Sequence, residues 1–359
     1  MNVIRKLIPL AALVAFPFAA PVFAQEEKPP ISKRAEAVGW SGVVLVRKNG
    51  ETVLHEAAGL ADRANAVPNT LDTKFPVASF TKLFTAVLIL QLAEEGLVDI
   101  DAAVSRYLPQ HEIPAFDRVT LHQLLTHTSG LVVTEALGKD ENGVSLPYTQ
   151  PLSLDGYIRT YLDAPLREEE DRRFEYNNGD FALLTAVIEA VTGASYQEAL
   201  ETRILVPLEM ENTGLITQGS EPADLAKGYR WDADTKTASD NPPLVKSNYF
   251  GAGAMYSTAN DIARFTQRLY AGDIINQTSL ARLTQTYPES ASYGYGVWVR
   301  YPQYGRKVPK VMRRYGRIFG FSHLLSHFLE EDITVVVLSN TSALNPTVFE
   351  EALGSSLLD

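Results

Sequence analysis

Strand-forming sequence stands at both ends of this chain, and that placement restricts its fold more than any other feature. Near the start, Ser41-Gly-Val-Val-Leu-Val-Arg47 and Thr52-Val-Leu-His-Glu-Ala-Ala-Gly59 flank Lys48-Asn49-Gly50-Glu51. Asn-Gly between two β-rich runs predicts a hairpin. His55 reads as an ordinary residue of its second strand. Toward the end, Tyr293 to Arg300, Phe321 to Phe328 and Ile333 to Asn340 read as strands, with Glu330-Glu331-Asp332 as the turn that makes the last two antiparallel neighbours. The stretch between the two ends is mostly helical in pattern. One sheet built from both chain ends, with a helical insertion, follows.

The insertion begins at Phe75-Pro-Val-Ala-Ser-Phe-Thr-Lys-Leu-Phe-Thr-Ala-Val-Leu-Ile-Leu. Apolar positions at helical spacing predict a helix from near Ser79, packed on several sides and ending at Glu94-Glu95-Gly96. Asp99 to Tyr107 reads as a short amphipathic helix, and Thr120 to Gly130 as another, capped by Thr120 and closed by Gly130. Leu131 to Arg173 is the least regular part. It holds a Gly/Asp/Asn/Pro-rich loop from Gly138 to Pro151, a helix near Leu154 to Leu162, and the charge run Arg167 to Arg173, read as a solvated turn. So long a loop is a candidate lid. Further helices are expected over Phe181 to Thr192, Tyr196 to Val206, Asp261 to Tyr270 and Pro346 to Leu358, with a loop from Asp224 to Pro243.

Composition sets outer bounds. At 359 residues, 45% apolar and 21% charged, the chain can form one large core or two packed lobes. A net charge of −11 gives no support to a nucleic-acid surface or a polybasic membrane patch. Residues 1–24 have a positive start (Arg5, Lys6), an apolar stretch from Leu7 to Ala20, and Val22-Phe23-Ala24 as a cleavage site. They read as a secretory signal peptide cut after Ala24, which implies a periplasmic or secreted protein with no stable membrane anchor afterwards. The chain contains no cysteine, which excludes disulfides, thiolate metal sites and a thiol nucleophile. His122 with His127, and His323 with His327, lack metal-binding spacing and read as structural.

Three separated stretches carry candidate chemistry. In Ser79-Phe80-Thr81-Lys82, positions three apart share a helix face at about 5–6 Å. Burial would lower the amine pKa, and a neutral amine beside a hydroxyl can act as its base. Tyr176-Asn177-Asn178 precedes a buried helix; a Tyr close to a Lys can share its proton, and an Asn offers a donor and an acceptor to a substrate amide. Arg314-Tyr315-Gly316-Arg317 leads into the last strands, where Gly permits close backbone approach and a cation can receive a carboxylate. The run Arg306 to Arg317 also suits a cation-decorated edge strand.

Ser79-x-x-Lys82, Tyr176-x-Asn178 and a Gly-bearing strand near the C-terminus, in that order, resemble the serine β-lactamase and penicillin-binding-protein superfamily. Leu124-Leu-Thr-His-Thr-Ser-Gly-Leu131, Gly253 to Phe265 and Tyr293-Gly-Tyr-Gly-Val-Trp298 bring it nearer to the branch of class C β-lactamases, D-alanyl-D-alanine carboxypeptidases, D-aminopeptidases and related esterases. The resemblance runs from about Val38 to Asn340. It implies an α/β (α+β) fold, an antiparallel sheet flanked by helices (about 36–78 and 250–359) beside a helical lobe (about 79–249), in one catalytic unit over 25–359. It implies no cofactor and no metal.

By resemblance, Ser79 is the acyl-accepting nucleophile, Lys82 its base and Tyr176 a proton carrier. Asn178 orients the substrate, and the N–H groups of Ser79 and of Arg317, after Gly316, form an oxyanion hole. Where the family has Lys or His two residues before the strand Gly, this chain has Arg314, which cannot give up a proton but can bind a carboxylate. The function implied is an exported serine hydrolase forming an acyl-enzyme on a peptide, ester or β-lactam carbonyl. Peptidase or esterase chemistry is favoured, on a small-molecule or peptide substrate such as a peptidoglycan-derived one. Arg314 also motivates the alternative of a non-catalytic relative that binds cell-wall fragments or a partner protein.

Overall fold

The computed structural model describes residues 30–168 and 172–358; the signal peptide expected at residues 1–24 lies outside them. The main sheet contains β1 (Gly42–Lys48), β2 (Glu51–Ala58), β3 (Trp298–Arg300), β4 (Val311–Ile318), β5 (Phe321–Phe328) and β6 (Ile333–Ser339). Its spatial order is β3-β4-β5-β6-β1-β2, and every pairing is antiparallel. The first hairpin turns through Asn49 (φ 51°) and Gly50 (φ 80°), as the Asn-Gly pair demands. It joins the C-terminal strands with Gly42 opposite Ser339 and Lys48 opposite Ile333, so the two chain ends do build one sheet.

Both faces of that sheet are covered. Val43 and Leu45 pack with Leu325, Val336 and Leu338 against the helical side, whereas Val44 and Val46 join Leu324, Val335 and Val337 on the other. This is the two-residue alternation of a strand with an apolar layer on each side. On the outer face lie Trp40 and helix Thr347–Leu358, whose Phe349 ring sits 4.8 Å from that of Trp40. The same helix buries Glu350, which accepts from Arg313, Ser326 and Tyr304. A buried carboxylate is thereby paired rather than stranded.

On the inner face lies α1 (Thr81–Glu94), buried on nearly every side. A helix apolar all round belongs in an interior. Next to it are α2 (Leu121–Thr126), α3 (Asn178–Thr192) and α4 (Ala259–Tyr270). Asn177 caps α3 by accepting from the Gly179 N–H at 2.9 Å, and Gly193 (φ 67°) ends it. His323, on central strand β5, accepts the Ser339 N–H at 3.0 Å on Nδ1, which leaves Nε2 to donate to the Pro76 carbonyl at 2.9 Å. The segment leading to Ser79 is thus tied to the middle of the sheet.

Four local expectations need correction. Residues 99–107 form only a 3-10 turn at Val104–Arg106, because the Asp99 carboxylate takes the Asp101 N–H at 3.0 Å and competes with a helix. Helix α2 closes at His127 in the left-handed region (φ 58°), not at Gly130. The expected loop at 224–243 contains a hairpin, Tyr229–Asp232 with Thr237–Asp240, started by Asp232 accepting the N–H groups of Asp234 and Thr235. The strand expected over 293–300 shrinks to Trp298–Arg300, since Gly296 takes φ 72°.

His327 on β5 is buried, contacts Thr334 Oγ1 at 3.0 Å and stacks on Tyr270 at 4.0 Å. Burial pushes its imidazole down to about 4, below the ordinary ~6.5 of an unfolded histidine. The folded chain therefore binds fewer protons, and stability present above pH ~6.5 is lost as pH falls toward ~4. In denaturant titrations at about pH 7 and about pH 4.5, His327→Gln should reduce that loss by about 2 kcal/mol; an unchanged loss would refute the assignment.

Candidate active site

The turn Ala78–Phe80 puts Ser79 at the mouth of α1. Ala78 holds φ 49°, a costly backbone state for a residue with a Cβ. The Thr81 hydroxyl donates to the Ala78 carbonyl at 2.7 Å and accepts the Met255 N–H at 3.2 Å, fixing that conformation. One turn on, Lys82 is fully buried. Its Nζ lies 2.8 Å from the Ala252 carbonyl, 2.5 Å from Asn178 Oδ1 and 3.4 Å from Ser79 Oγ. Burial lowers its pKa first, and the Arg314 charge lowers it further against a partial counter-pull from Tyr176.

Tyr176 also reaches Ser79 Oγ, at 2.8 Å, with Lys82 Nζ 4.8 Å from the centre of its ring. Burial alone would raise its phenol, but the charges of Arg314 and Lys82 outweigh that and bring it down to about 8. The source of the largest charge is unusual. Arg314 is 1% exposed and, among the described residues, has no carboxylate within ion-pair distance. Its Nε donates to the Ser79 carbonyl at 2.6 Å, one terminal nitrogen to Tyr293 Oη and the Gly296 carbonyl at 2.5 and 2.9 Å, and the other to Tyr176 Oη at 2.7 Å. Sequence reasoning offered Arg314 to a substrate carboxylate, whereas these contacts turn the guanidinium on the phenol of Tyr176.

The strand that carries Arg314 approaches Ser79 because of two glycines. A Cβ at Gly316 would stand 2.4 Å from the Val77 carbonyl, and one at Gly296 would stand 2.8 Å from the Lys82 carbonyl. Strand β3 pairs with only Val311–Arg313, so beyond that point the edge of β4 faces the Ser79 turn. Arg317 is exposed and reaches Asn345 at 3.4 Å. A cavity of about 540 Å³ opens here beside Ser79, Tyr176 and Arg314, with Trp298, Arg300 and Arg317 on its wall. Among the described residues no group of His, Asp and Glu is arranged to hold a metal ion.

Asn178 opens α3 and is nearly buried. Its Oδ1 lies on Lys82 and its Nδ2 donates to Glu135 Oε1 at 2.5 Å and to Tyr148 Oη at 3.1 Å. Behind Tyr176, His127 Nδ1 meets Asp180 Oδ2 at 2.8 Å with both side chains fully buried, and Ser129 donates to Asp180 at 2.6 Å. Burial pushes the imidazole well below and the carboxyl well above their ordinary values. The His127 ring stands 4.5 Å from the Tyr176 ring, and its carbonyl accepts the Glu175 N–H. His127, Asp180, Tyr293 and Glu135 have no separate role in the sequence reading. His127 and Tyr293 fall inside the quoted stretches and Asp180 follows Asn178 by two residues, whereas nothing local marks Glu135.

The arrangement supplies a hydroxyl with a phenol at hydrogen-bond distance, lowered to about 8, and a buried amine, lowered as well, 3.4 Å from the same hydroxyl. In an ultraviolet titration one tyrosine should ionise near pH 8. That step should vanish in Tyr176→Phe and move up by at least about one unit in Arg314→Gln, which removes the cation; a step unmoved by the Arg314 change would break the coupling.

Comparison with known proteins agrees with this architecture. The pattern of the family described as Beta-lactamase matches residues 32–354. PbpX of Bacillus subtilis (strain 168), named as a penicillin-binding protein, is 30% identical over 86% of this chain and 72% of its own. The teichoic acid D-alanine hydrolase of Staphylococcus aureus (strain MRSA252) is 28% identical over 85% of this chain and 72% of its own. The crystal structure of a penicillin binding protein from Bacillus halodurans superposes with a TM-score of 0.74 at 30% identity, covering 89% of this chain and 98% of that one.

Proposed function

This chain belongs to the beta-lactamase family, and from that premise we propose that it is a serine hydrolase that forms an acyl-enzyme on Ser79. The observation that carries the reading is the pair of contacts on Ser79 Oγ, with Tyr176 at 2.8 Å and Lys82 at 3.4 Å. A nucleophilic hydroxyl needs a base within reach, and the closer of these two is the phenol that its cationic neighbours bring down to about 8.

Ser79 Oγ attacks the substrate carbonyl carbon while its proton passes to the Tyr176 phenolate. The oxyanion is received by the N–H groups of Ser79 and of Arg317, the residue after Gly316. Collapse breaks the bond to the leaving group, which takes the proton back from Tyr176. Water then attacks the acyl-enzyme and gives a proton to Tyr176; breaking the bond to Ser79 Oγ releases the acid, and Oγ takes that proton from Tyr176, which returns to phenolate. Lys82 polarises the hydroxyl and offers a second proton site. Arg314 acts on Tyr176 throughout and never loses its own proton.

The favoured substrates are amino-acid esters or amides. The named activity of the Staphylococcus relative supports this over a dedicated β-lactamase. The sheet side (about 36–78 and 250–359) and the helical side (about 79–249) act as two lobes of one catalytic unit, sharing the core around α1. The signal-like residues 1–24 support a location outside the cytoplasm, and among the described residues no helix is long and apolar enough to cross a membrane.

Treatment with a fluorophosphonate followed by intact-mass measurement should give one adduct, located on Ser79 and absent in Ser79→Ala. Ester turnover should fall by roughly 10⁴-fold or more in that variant. An inert wild-type chain would favour the non-catalytic binder instead.

A further inference from the structure

The cavity beside Ser79 does not end at Arg317. Arg317 and Asn345 also border a second cavity of about 590 Å³, which continues past Phe319 and Ser342 to Arg230, in the hairpin Tyr229–Asp232 with Thr237–Asp240. Together the two form one groove. Among the described residues no Asp or Glu lines either part of it, although Asp and Glu outnumber Lys and Arg in the chain by 43 to 32. Arg314 is turned on Tyr176, so the cations left to the groove are Arg300, Arg317 and Arg230.

None of these three has a carboxylate within ion-pair distance among the described residues, and two are held by neutral contacts. The Arg300 guanidinium lies 4.5 Å from the centre of the Trp298 ring and donates to the Val299 carbonyl at 3.2 Å. That of Arg317 lies 5.8 Å from the centre of the Tyr315 ring and donates to Asn345 Oδ1 at 3.4 Å. A guanidinium stacked on a ring keeps its charge and part of its N–H edge for another acceptor, and loses less freedom when that acceptor arrives. Burial disfavours the Arg300 cation, Tyr315 counters this in part, and Arg313 adds to the cost. An anion in the groove offsets both. The row of cations is long: Arg300 stands opposite Val311, six residues along β4 from Arg317, which is about 20 Å of strand at about 3.3 Å per residue. Arg230 borders the adjoining part. One carboxylate meets a single point of such a row, whereas a chain with repeated charges meets all of it.

We propose that the groove past Arg300, Arg317 and Arg230 seats an extended polyanion, and that the ester or amide attacked by Ser79 is borne on that polyanionic chain. The second part rests on the acyl-transfer reading of Ser79 and narrows it. Ser79 and Tyr176 share their cavity with Arg300 and Arg317, so a chain lying along the arginines passes the nucleophile. On the other side of the site, beyond Asn178, the carboxylate of Glu135 repels such a chain and confines it to the sheet side.

The test uses the full-length chain with linear polyphosphate as the probe, and inorganic phosphate at equal phosphorus concentration and uncharged dextran as controls. Polyphosphate should slow fluorophosphonate labelling of Ser79 by at least about 10-fold where both controls leave it unchanged, because linked charges bind far more tightly than the same charges apart. Added salt should weaken the effect. In the double variant Arg230→Gln/Arg300→Gln the half-inhibiting concentration should rise by roughly 5- to 30-fold, the range for two ion pairs open to solvent. Arg106→Gln removes the same charge from a turn on the helical side and should move it by less than about twofold. Labelling without polyphosphate reports that each variant is folded, and tryptophan fluorescence follows binding independently of labelling. A wild-type chain that is labelled but indifferent to polyphosphate overturns the groove alone, as does inhibition that survives the double variant. Poly-L-glutamate competing where polyphosphate does not would assign the groove to an acidic protein segment and overturn the proposed substrate. A chain never labelled on Ser79 whose fluorescence still responds to polyphosphate overturns the acyl-enzyme reading and upholds the groove; one that shows neither overturns both.

Discussion

A guanidinium buried with no carboxylate beside it among the described residues is the constraint around which this site is built. Moving a charge out of water costs several kcal/mol even after relaxation, and Arg314 is 1% exposed. Carbonyls of Ser79 and Gly296 and the hydroxyl of Tyr293 take part of that cost, but dipoles alone leave a net positive charge in the interior. The remaining partner is Tyr176, and the cheapest way to offset the charge is to let that phenol ionise. Two unit charges about 4 Å apart interact by about 4 kcal/mol at an effective dielectric of 20, enough to overcome the burial that would otherwise hold the phenol neutral. The same cation disfavours a proton on Lys82. One permanent charge therefore moves two bases toward their reactive forms.

The fold supplies what this electrostatic device needs. The sheet edge must come within contact of the turn that bears Ser79, and it can do so only because no Cβ stands at Gly316 or Gly296. His323 ties the Pro76 carbonyl to β5, while Met255 pairs with the segment beside it. These two anchors hold Ala78 in a backbone state it would not choose. From the helical side, His127 closes α2 in a left-handed turn and thereby presents its ring to Tyr176, its carbonyl to Glu175 and its Nδ1 to Asp180. The second motif is clamped on both sides of the phenol by a residue whose task looks, locally, like ending a helix.

That last point explains what the sequence disclosed and what it did not. The hairpin at Asn49-Gly50, the fully apolar helix after Ser79 and the pairing of both chain ends are written in turn chemistry and periodicity, which are local or additive. The Ser79 and Lys82 pairing follows from helical spacing alone, and Tyr176 and Asn178 came from a resemblance across motifs. By contrast, the direction of the Arg314 guanidinium depends on Tyr293 and Gly296, far away in sequence, and no pattern around Arg314 distinguishes a carboxylate clamp from a phenolate partner. The helix expected at 99–107 failed because one Asp side chain captured a backbone N–H. Glu135 is silent for the same reason as Arg314: its meaning lies in Asn178 and Tyr148, which reach it through the tertiary fold.

Taken together, Arg314 and Glu135 give the site a polarity that a substrate must match. On the sheet side of Ser79 the cavity wall carries Arg300, Arg314 and Arg317 and, among the described residues, no carboxylate, although the chain as a whole has a net charge of −11. On the helical side, beyond Asn178, stands the carboxylate of Glu135. Charges of opposite sign thus stand on the two sides of Ser79, and charge gives the site a direction. Hydrophobic contacts could not impose that direction, because they are not signed. The permanence of the guanidinium matters here as well: a Lys or His in place of Arg314 could discharge as pH rises and lose the gradient, whereas this site keeps it over the whole range in which Tyr176 changes its protonation.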